Sequence, residues 1–363
     1  MSAPLRVELA RAEDEGALRG LLAGSPMPGA FRVAYEREPD FFLSARLLGP
    51  HCDVLVLRAG TEVVGLATRS VRLHYVGGVP RPVGYLSALR IAEPYRRGTA
   101  LARGYALLRE LHGDGRAERY FSTIVSANTE ARALLTSGRC GLPRYVELGE
   151  YTTSVLPVRR KPKRYKGPVE VVRGGGPGWP DPLCGFLATE LPLHDLTPCW
   201  TKAELDGGDG LLPRPDDFVL AFRRGELVGT ASLWDQTACK QYRLCAYGGI
   251  LGVLRPGLNV LAGALGWPSL PPEGSLLSQA VVGHVAVTGD DPDIAAALLS
   301  ALERLAAERG LRFLLLGLMS QDPLLLALRR KPRLTYRSTV YEVLWEGEGR
   351  LAGRTVRPEL GLL

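Results

Sequence analysis

The segment with the clearest chemical character runs from Tyr85 to Ala102, YLSALRIAEPYRRGTALA, where basic and small residues follow a strand-forming stretch. A strand is predicted over Tyr85 to Ile91, and the basic turn after it leads into a helix. The first N–H groups of a helix have no partner within it and lie at the positive end of its dipole. Small residues let a pyrophosphate approach the backbone there, and Arg96 and Arg97 add positive charge. The segment therefore predicts an anion-binding turn.

The elements on either side of this turn must hold it in place. Apolar and small residues recur at helical spacing after it, at Ala100, Gly104, Leu107 and Leu111. A second strand is predicted over Tyr120 to Val125. Upstream, two β-branched runs flank a short Gly-containing turn at Ala59-Gly60, which indicates a β-hairpin. A strand, a helix and a strand after an antiparallel hairpin imply an α+β fold, a mixed sheet with helices packed on it.

This arrangement resembles the GNAT superfamily of acyl-CoA-dependent N-acyltransferases. The family's motif at the start of its central helix, P-x-x-R-x-x-G-x-G/A, has counterparts here in Pro94, Arg97, Ala100 and Ala102. A second family element, N-x-x-A-x-x-L, has counterparts in Asn128, Ala131 and Leu134. The resemblance covers roughly residues 5–156 and implies that this half binds coenzyme A, with acetyl-CoA as the expected donor.

The resemblance also implies which residues contact the cofactor. They lie at the end of the strand, in the turn, in the first helical turn and in the second element: Leu89, Arg90, Ile91, Arg96, Arg97, Gly98, Thr99, Ala100, Leu101, Ala102, Asn128 and Ala131. The family often places a proton-donating tyrosine where this chain has Leu135. Tyr85 and Tyr145 are the candidate catalytic residues instead, and packing in the core is the alternative interpretation of both. No metal site is predicted.

The second half of the chain repeats the first. A hairpin over Phe218 to Ala231, an amphipathic helix around Leu298 and a strand over Arg312 to Leu318 follow in the same order. The second copy is longer than the first by an insertion of roughly 25 residues, most of it between Gly248 and Gly274. We therefore expect two tandem GNAT-like domains, at residues 1–158 and 169–363, joined by a basic linker at 159–168.

The second copy lacks the basic turn. Its corresponding stretch, Thr288 to Asp293, contains three aspartates and no basic residue. Carboxylates there would cap the helix themselves and would repel a pyrophosphate. We therefore expect a degenerate cofactor site in the second half.

Composition limits the remaining classes of function. The net charge is +7, but six basic residues lie in the linker, in RRKPKRYK, so the rest of the chain is almost neutral. This distribution of charge disfavours a nucleic-acid partner. The cysteines are scattered and no apolar run is long enough to span a membrane, which favours a cytoplasmic protein. The sequence does not determine the oligomeric state.

The leading hypothesis is an enzyme, an N-acyltransferase that moves an acetyl or other acyl group from acyl-CoA to a small-molecule or peptide amine. A coenzyme A-binding or partner-binding module with weak turnover and an aminoacyl-tRNA-dependent transferase are the alternatives. Two features of the second half also stay open. His284 fits a buried structural histidine better than a base, and the polar patch at Asp235, Gln236, Lys240 and Tyr242 fits either a domain interface or a substrate site.

Overall fold

The computed structural model describes residues 4–27, 29, 31–96, 98–139, 141–208, 210–345, 351 and 353–363. The strands of the first half are β1 (Leu5–Leu9), β2 (Phe31–Glu36), β3 (His51–Ala59), β4 (Glu62–Val76), β5 (Val79–Ile91), β6 (Arg119–Val125) and β7 (Arg144–Pro157). Its helices are α1 (Glu15–Ala23), α2 (Phe41–Leu47), α3 (Ala100–His112) and α4 (Thr129–Leu135).

The second half follows the same plan. Its strands are β8 (Glu170–Arg173), β9 (Phe218–Arg223), β10 (Glu226–Trp234), β11 (Gln241–Tyr247), β12 (Gln279–Val287), β13 (Phe313–Met319) and β14 (Leu334–Leu344). Its helices are α5 (Asp181–Glu190), α6 (Lys202–Leu205), α7 (Leu251–Ala264) and α8 (Pro292–Glu308).

The predicted hairpins and the mixed sheet are confirmed. β3 pairs antiparallel with β4, and β9 does so with β10. A parallel pair of strands follows in each half. In the first half α3 connects β5 with β6, and in the second half α8 connects β12 with β13. α8 packs its apolar face on the sheet through Leu298 and Leu302, while α3 packs through Tyr105 and Leu108. The fold is thus α+β, with helices buried against a sheet of mixed direction.

The last strands of the two halves are exchanged. One sheet contains twelve strands in the order β1-β3-β4-β5-β6-β14-β7-β13-β12-β10-β9-β8. β14 lies between β6 and β7, and β7 pairs with β13 of the second half. Each half therefore completes the sheet of the other, and the parallel pairs lie on either side of a shared centre.

A second, two-stranded sheet also joins the halves. β2 and β11 pair antiparallel from Phe31 and Tyr247 to Glu36 and Gln241. Arg243 forms an ion pair with Glu36 at 2.7 Å on this small sheet. The small sheet and the central strands of the large sheet line a common cavity.

The predicted insertion contains the helix α7. Its apolar side chains are exposed, with Val253 at 79% and Val260 at 76%. Asn259 of this helix bonds Leu270, which lines the cavity under the small sheet. In the part of the chain that the structure describes, no helix has both the length and the apolar character to cross a membrane.

Candidate active site

The predicted phosphate turn lies between β5 and α3. Arg96 is exposed, and its Nε donates to the carbonyl of Ile91 at 3.0 Å. Gly98 has a φ of +102°, a backbone conformation that favours glycine. α3 begins at Ala100 with no side-chain cap, and the described part of its first turn contains no acidic residue. Its N–H groups are thus free of a competing carboxylate. Arg97 lies outside the described residues.

The strands β5 and β6 separate beside this turn. Their parallel pairing extends only from Val83 and Arg119 to Leu86 and Ser122, although β5 continues to Ile91. The pairing of β5 with β4 skips a bulge at Ala88, whose φ is +55°. The separation and the bulge open a gap between the two strands at the end that faces the turn. Of the residues predicted to contact the cofactor here, Arg90 lines the cavity, whereas Leu89 and Ile91 pack against apolar clusters.

A cavity of about 310 Å³ opens from this gap. Its walls come from both parallel strand pairs, from the exchanged strands β7 and β14, and from β2 and β11. Most of the lining is apolar or aromatic, which is typical of small-molecule sites. The polar patch predicted at Gln236, Lys240 and Tyr242 lines this cavity, and Asp235 does not.

The structure separates the two candidate catalytic tyrosines. Tyr85 lines the cavity at the gap, stacks on Phe121 and shares a hydrogen bond of 2.8 Å with the hydroxyl of Thr123. Burial raises the pKa of Tyr85 to about 12, so its hydroxyl is protonated at neutral pH. Tyr145 instead bonds the hydroxyl of Tyr105 in the core beneath α3, away from the cavity lining.

The second predicted cofactor element, Asn128 with Ala131, has a local structural role. The side chain of Asn128 caps α4 by accepting the backbone N–H of Ala131 at 3.1 Å. Ala131 packs against the core beneath α3, and Leu135 is buried in the same core. The amide of Asn128 therefore holds the start of a short helix next to β6.

The turn of the second half is capped by its own carboxylates, as predicted. Asp291 accepts the backbone N–H of Asp293 at 2.8 Å at the start of α8, and it also pairs with Arg223 at 2.9 Å. Asp290 accepts from Arg357 at 2.8 Å and from His194 at 3.1 Å. These contacts occupy the helix start that a phosphate would need.

The gap of the second half is filled by the last described segment of the chain. His284 occupies the place in β12 that Ala88 has in β5, with a φ of +54° and the same skipped pairing to the hairpin. Its backbone N–H donates to the carboxylate of Glu359 at 2.9 Å. Only about 20 Å³ stays open around His284 and Leu360. Burial lowers the pKa of His284 to about 3, so the ring is neutral, as expected of a structural histidine.

Sequence reasoning missed two charged residues of these sites. Arg37 follows β2 and lines the open cavity, while Glu359 lies in the segment that fills the closed gap. Neither belongs to a motif, since each reaches its place through contacts distant in sequence. The only signal for Arg37 was a basic residue directly after the alternating strand Phe31–Glu36.

The chain has the fold of the GNAT-type N-acetyltransferases and N-myristoyltransferases. A GCN5-related N-acetyltransferase from Sphaerobacter thermophilus superimposes over 96% of this chain and 99% of its own, with a TM-score of 0.63 and 14% identity. An N-myristoyltransferase from Saccharomyces cerevisiae with bound myristoyl-CoA superimposes over 94% of this chain and 84% of its own, with a TM-score of 0.60 and 10% identity.

A third similar structure is a glucosamine N-acetyltransferase region in a fungal multi-domain β-N-acetylglucosaminidase. It superimposes over 94% of this chain with a TM-score of 0.62 and 14% identity, and the chain spans 38% of that protein. The sequence itself matches no protein-family model and none of the curated proteins.

Proposed function

We propose that the protein is an N-acyltransferase that moves an acetyl group from acetyl-CoA to an amine, with the donor bound in the first half. The observation that carries the proposal is the asymmetry of the two gaps. The gap between β5 and β6 opens into a cavity of about 310 Å³, and β5 is followed by a helix start without a side-chain cap, whereas the gap between β12 and β13 is filled by the chain itself.

The proposed donor site uses the residues predicted from the sequence. The pyrophosphate binds the backbone from Arg97 to Ala102 with the help of the Arg96 and Arg97 side chains, because the N–H groups of α3 favour negative charge. The pantetheine arm then follows the edge of β5 past Leu89 and Arg90 toward the gap. The proposed domains are residues 1–158 and 169–363 with the linker 159–168 between them, and only the first binds coenzyme A.

The chemistry requires a neutral amine to attack the thioester carbon, after which the C–S bond breaks and the thiolate takes up a proton. The Tyr85 hydroxyl is protonated at neutral pH and lines the gap, so it can supply that proton. It cannot act as the resting base. No aspartate or glutamate side chain among the described residues lines the cavity, and the proposal therefore assigns the proton of the amine to water.

The decisive test measures free thiol released from acetyl-CoA in the presence of a panel of small-molecule and peptide amines. Calorimetry on the same protein should give one acetyl-CoA site per chain, because the carboxylates of the second turn repel phosphate. Binding without thiol release for any amine would leave a coenzyme A-binding module and reject the enzyme. Two equal sites per chain would contradict the assignment of the donor to the first half.

Substitutions test the assigned residues separately. Replacing Arg96 and Arg97 together by alanine should weaken acetyl-CoA binding by about 1–3 kcal/mol, the range for charge-assisted hydrogen bonds. Tyr85→Phe should leave that affinity unchanged and lower turnover by roughly 10²–10⁴-fold. Tyr341→Phe, which removes a buried hydroxyl outside the cavity lining, is the control. A loss of turnover in Tyr145→Phe instead of Tyr85→Phe would move the proton donor to the core beneath α3.

A further inference from the structure

The open cavity is lined by basic side chains that no acidic side chain of its described lining neutralises. Arg37 and Lys240 are only 2% and 4% exposed, and both line the cavity together with Arg90. No carboxylate side chain among the described residues lines it. Burying cations without a negative partner is strongly unfavourable, so such a cluster indicates a ligand that brings the charge.

Arg37 is the least satisfied member of this cluster. Its Nε donates to the Tyr35 hydroxyl at a long 3.3 Å, and its guanidinium carbon lies 4.6 Å from the ring centre of Phe41. Its Nη1 is buried and has no hydrogen-bond partner among the described residues. The fork of donors on a guanidinium matches the oxygens of a carboxylate or a phosphate.

Lys240 and Arg90 likewise have no carboxylate as a hydrogen-bond partner among the described residues. Each donates to a backbone carbonyl, those of Gly361 and Leu89, at 2.9 Å. Burial lowers the pKa of Lys240 and of Arg90. The nearby carboxylate of Glu359 does not line the cavity and accepts backbone N–H groups, and burial raises its pKa to about 7.

We propose that this cationic cluster binds an oxyanion carried by the acceptor, so that the acceptor is an anionic amine with an apolar or aromatic body. The inference rests on the proposed acyl transfer and specifies its acceptor. An alkyl acyl chain in this place would bring no negative charge to the three cations, and the proposed donor site places the phosphates at α3. Phe31, Val33 and Leu244 supply the apolar walls for the body of the acceptor.

The first test compares acceptors that differ only in the anion, using the unaltered protein. L-Phenylalanine is compared with L-phenylalaninamide, and O-phosphoethanolamine with ethanolamine, as kcat/KM for the neutral amine form. The anionic member of one pair should be preferred by about 10- to 100-fold, the range for hydrogen bonds to charged groups. The preferred pair distinguishes carboxylate from phosphate. If neither pair shows a preference for its anionic member, the inference is overturned.

The second test does not need turnover and therefore separates this inference from the proposed function. Phenylacetate and inorganic phosphate are titrated by calorimetry into the parent protein, Arg37→Gln and the control Arg32→Gln, an exposed position on β2, the strand that Arg37 follows. One of the two anions should bind the parent, and Arg37→Gln should weaken it by at least about 10-fold while Arg32→Gln does not. Lys240→Met serves if Arg37→Gln does not fold.

Each outcome of the titration has a definite meaning. If neither anion binds, or if Arg37→Gln and Lys240→Met bind as the parent does, the anion site is rejected. If Arg37→Gln weakens acetyl-CoA and leaves phenylacetate unchanged, the cluster belongs to the donor and the inference is also rejected. Anion binding without any thiol release would reject the proposed acyl transfer and retain the anion site.

Discussion

The carboxylate of Glu359 provides a direct test of how the second half is closed. It accepts the backbone N–H of His284 at 2.9 Å and that of Gly361 at 3.2 Å in the filled gap. Burial is the main influence on its pKa and raises it to about 7, and the backbone N–H groups of His284 and Gly361, followed by the nearby Lys240, oppose that rise only in part. Glu359→Gln keeps the shape and a carbonyl acceptor, and it removes the ionisation.

The sign of the expected effect follows from proton binding. Between the unfolded pKa of about 4.5 and the folded value of about 7, the folded protein holds a proton on Glu359 that the unfolded chain has released. The free energy of unfolding should therefore fall as pH rises through this window. The difference in pKa sets an upper limit of about 3 kcal/mol on this contribution.

The assay is urea unfolding followed by tryptophan fluorescence at several pH values from 5 to 8. The stability of the parent relative to Glu359→Gln should decline with rising pH and level off above pH 7. Because other groups, including His284, titrate in both proteins, only this difference is diagnostic. Glu62→Gln, at the exposed first residue of β4, should give a difference without that slope. A parent and a Glu359→Gln protein with parallel pH profiles would refute the buried carboxylate.

Two further substitutions test the packing within each half. Gly84→Ala would place a methyl group 2.2 Å from the ring of Tyr120. We therefore expect a loss of about 1–3 kcal/mol in the free energy of unfolding, measured by urea titration. A variant as stable as the parent would contradict the packing of β5 beside β6. Asp291→Ala removes the cap on the N–H of Asp293 and the ion pair with Arg223, which should lower stability by about 1 kcal/mol. The same variant should still bind one acetyl-CoA per chain, and a second site in calorimetry would show that this carboxylate alone had excluded the cofactor.

The features predicted from the sequence are those that local patterns determine. The hairpin at Ala59-Gly60, the helix that starts at Ala100 and the carboxylate cap at Asp291 all follow from residues within a few positions of one another. The duplication strengthened these predictions because each pattern occurs twice. The cofactor turn was predicted in the same way, although its role in binding is still a prediction.

The features that were missed depend on which distant segments meet. Alternation within β7 and β14 shows that both are strands, but it does not show that each lies beside the other half's parallel pair. The pairing of β2 with β11 joins residues about 200 positions apart, and neither strand encodes its partner. The cavity and its cations are consequences of these two pairings, so no motif indicated them.

The gaps of the two halves have equivalent residues at the same position of β5 and β12. Ala88 and His284 are the same bulge in two copies of one fold, and both have positive φ. In the second copy the N–H of this bulge holds a carboxylate oxygen, that of Glu359, while the His284 ring packs 4.1 Å from Trp200 and takes up space. The bulge geometry can thus present an N–H to a carboxyl oxygen inside a buried gap. In the first copy the small side chain of Ala88 leaves room in the same place, and in the proposed acyl transfer this is where the thioester oxygen would develop its negative charge.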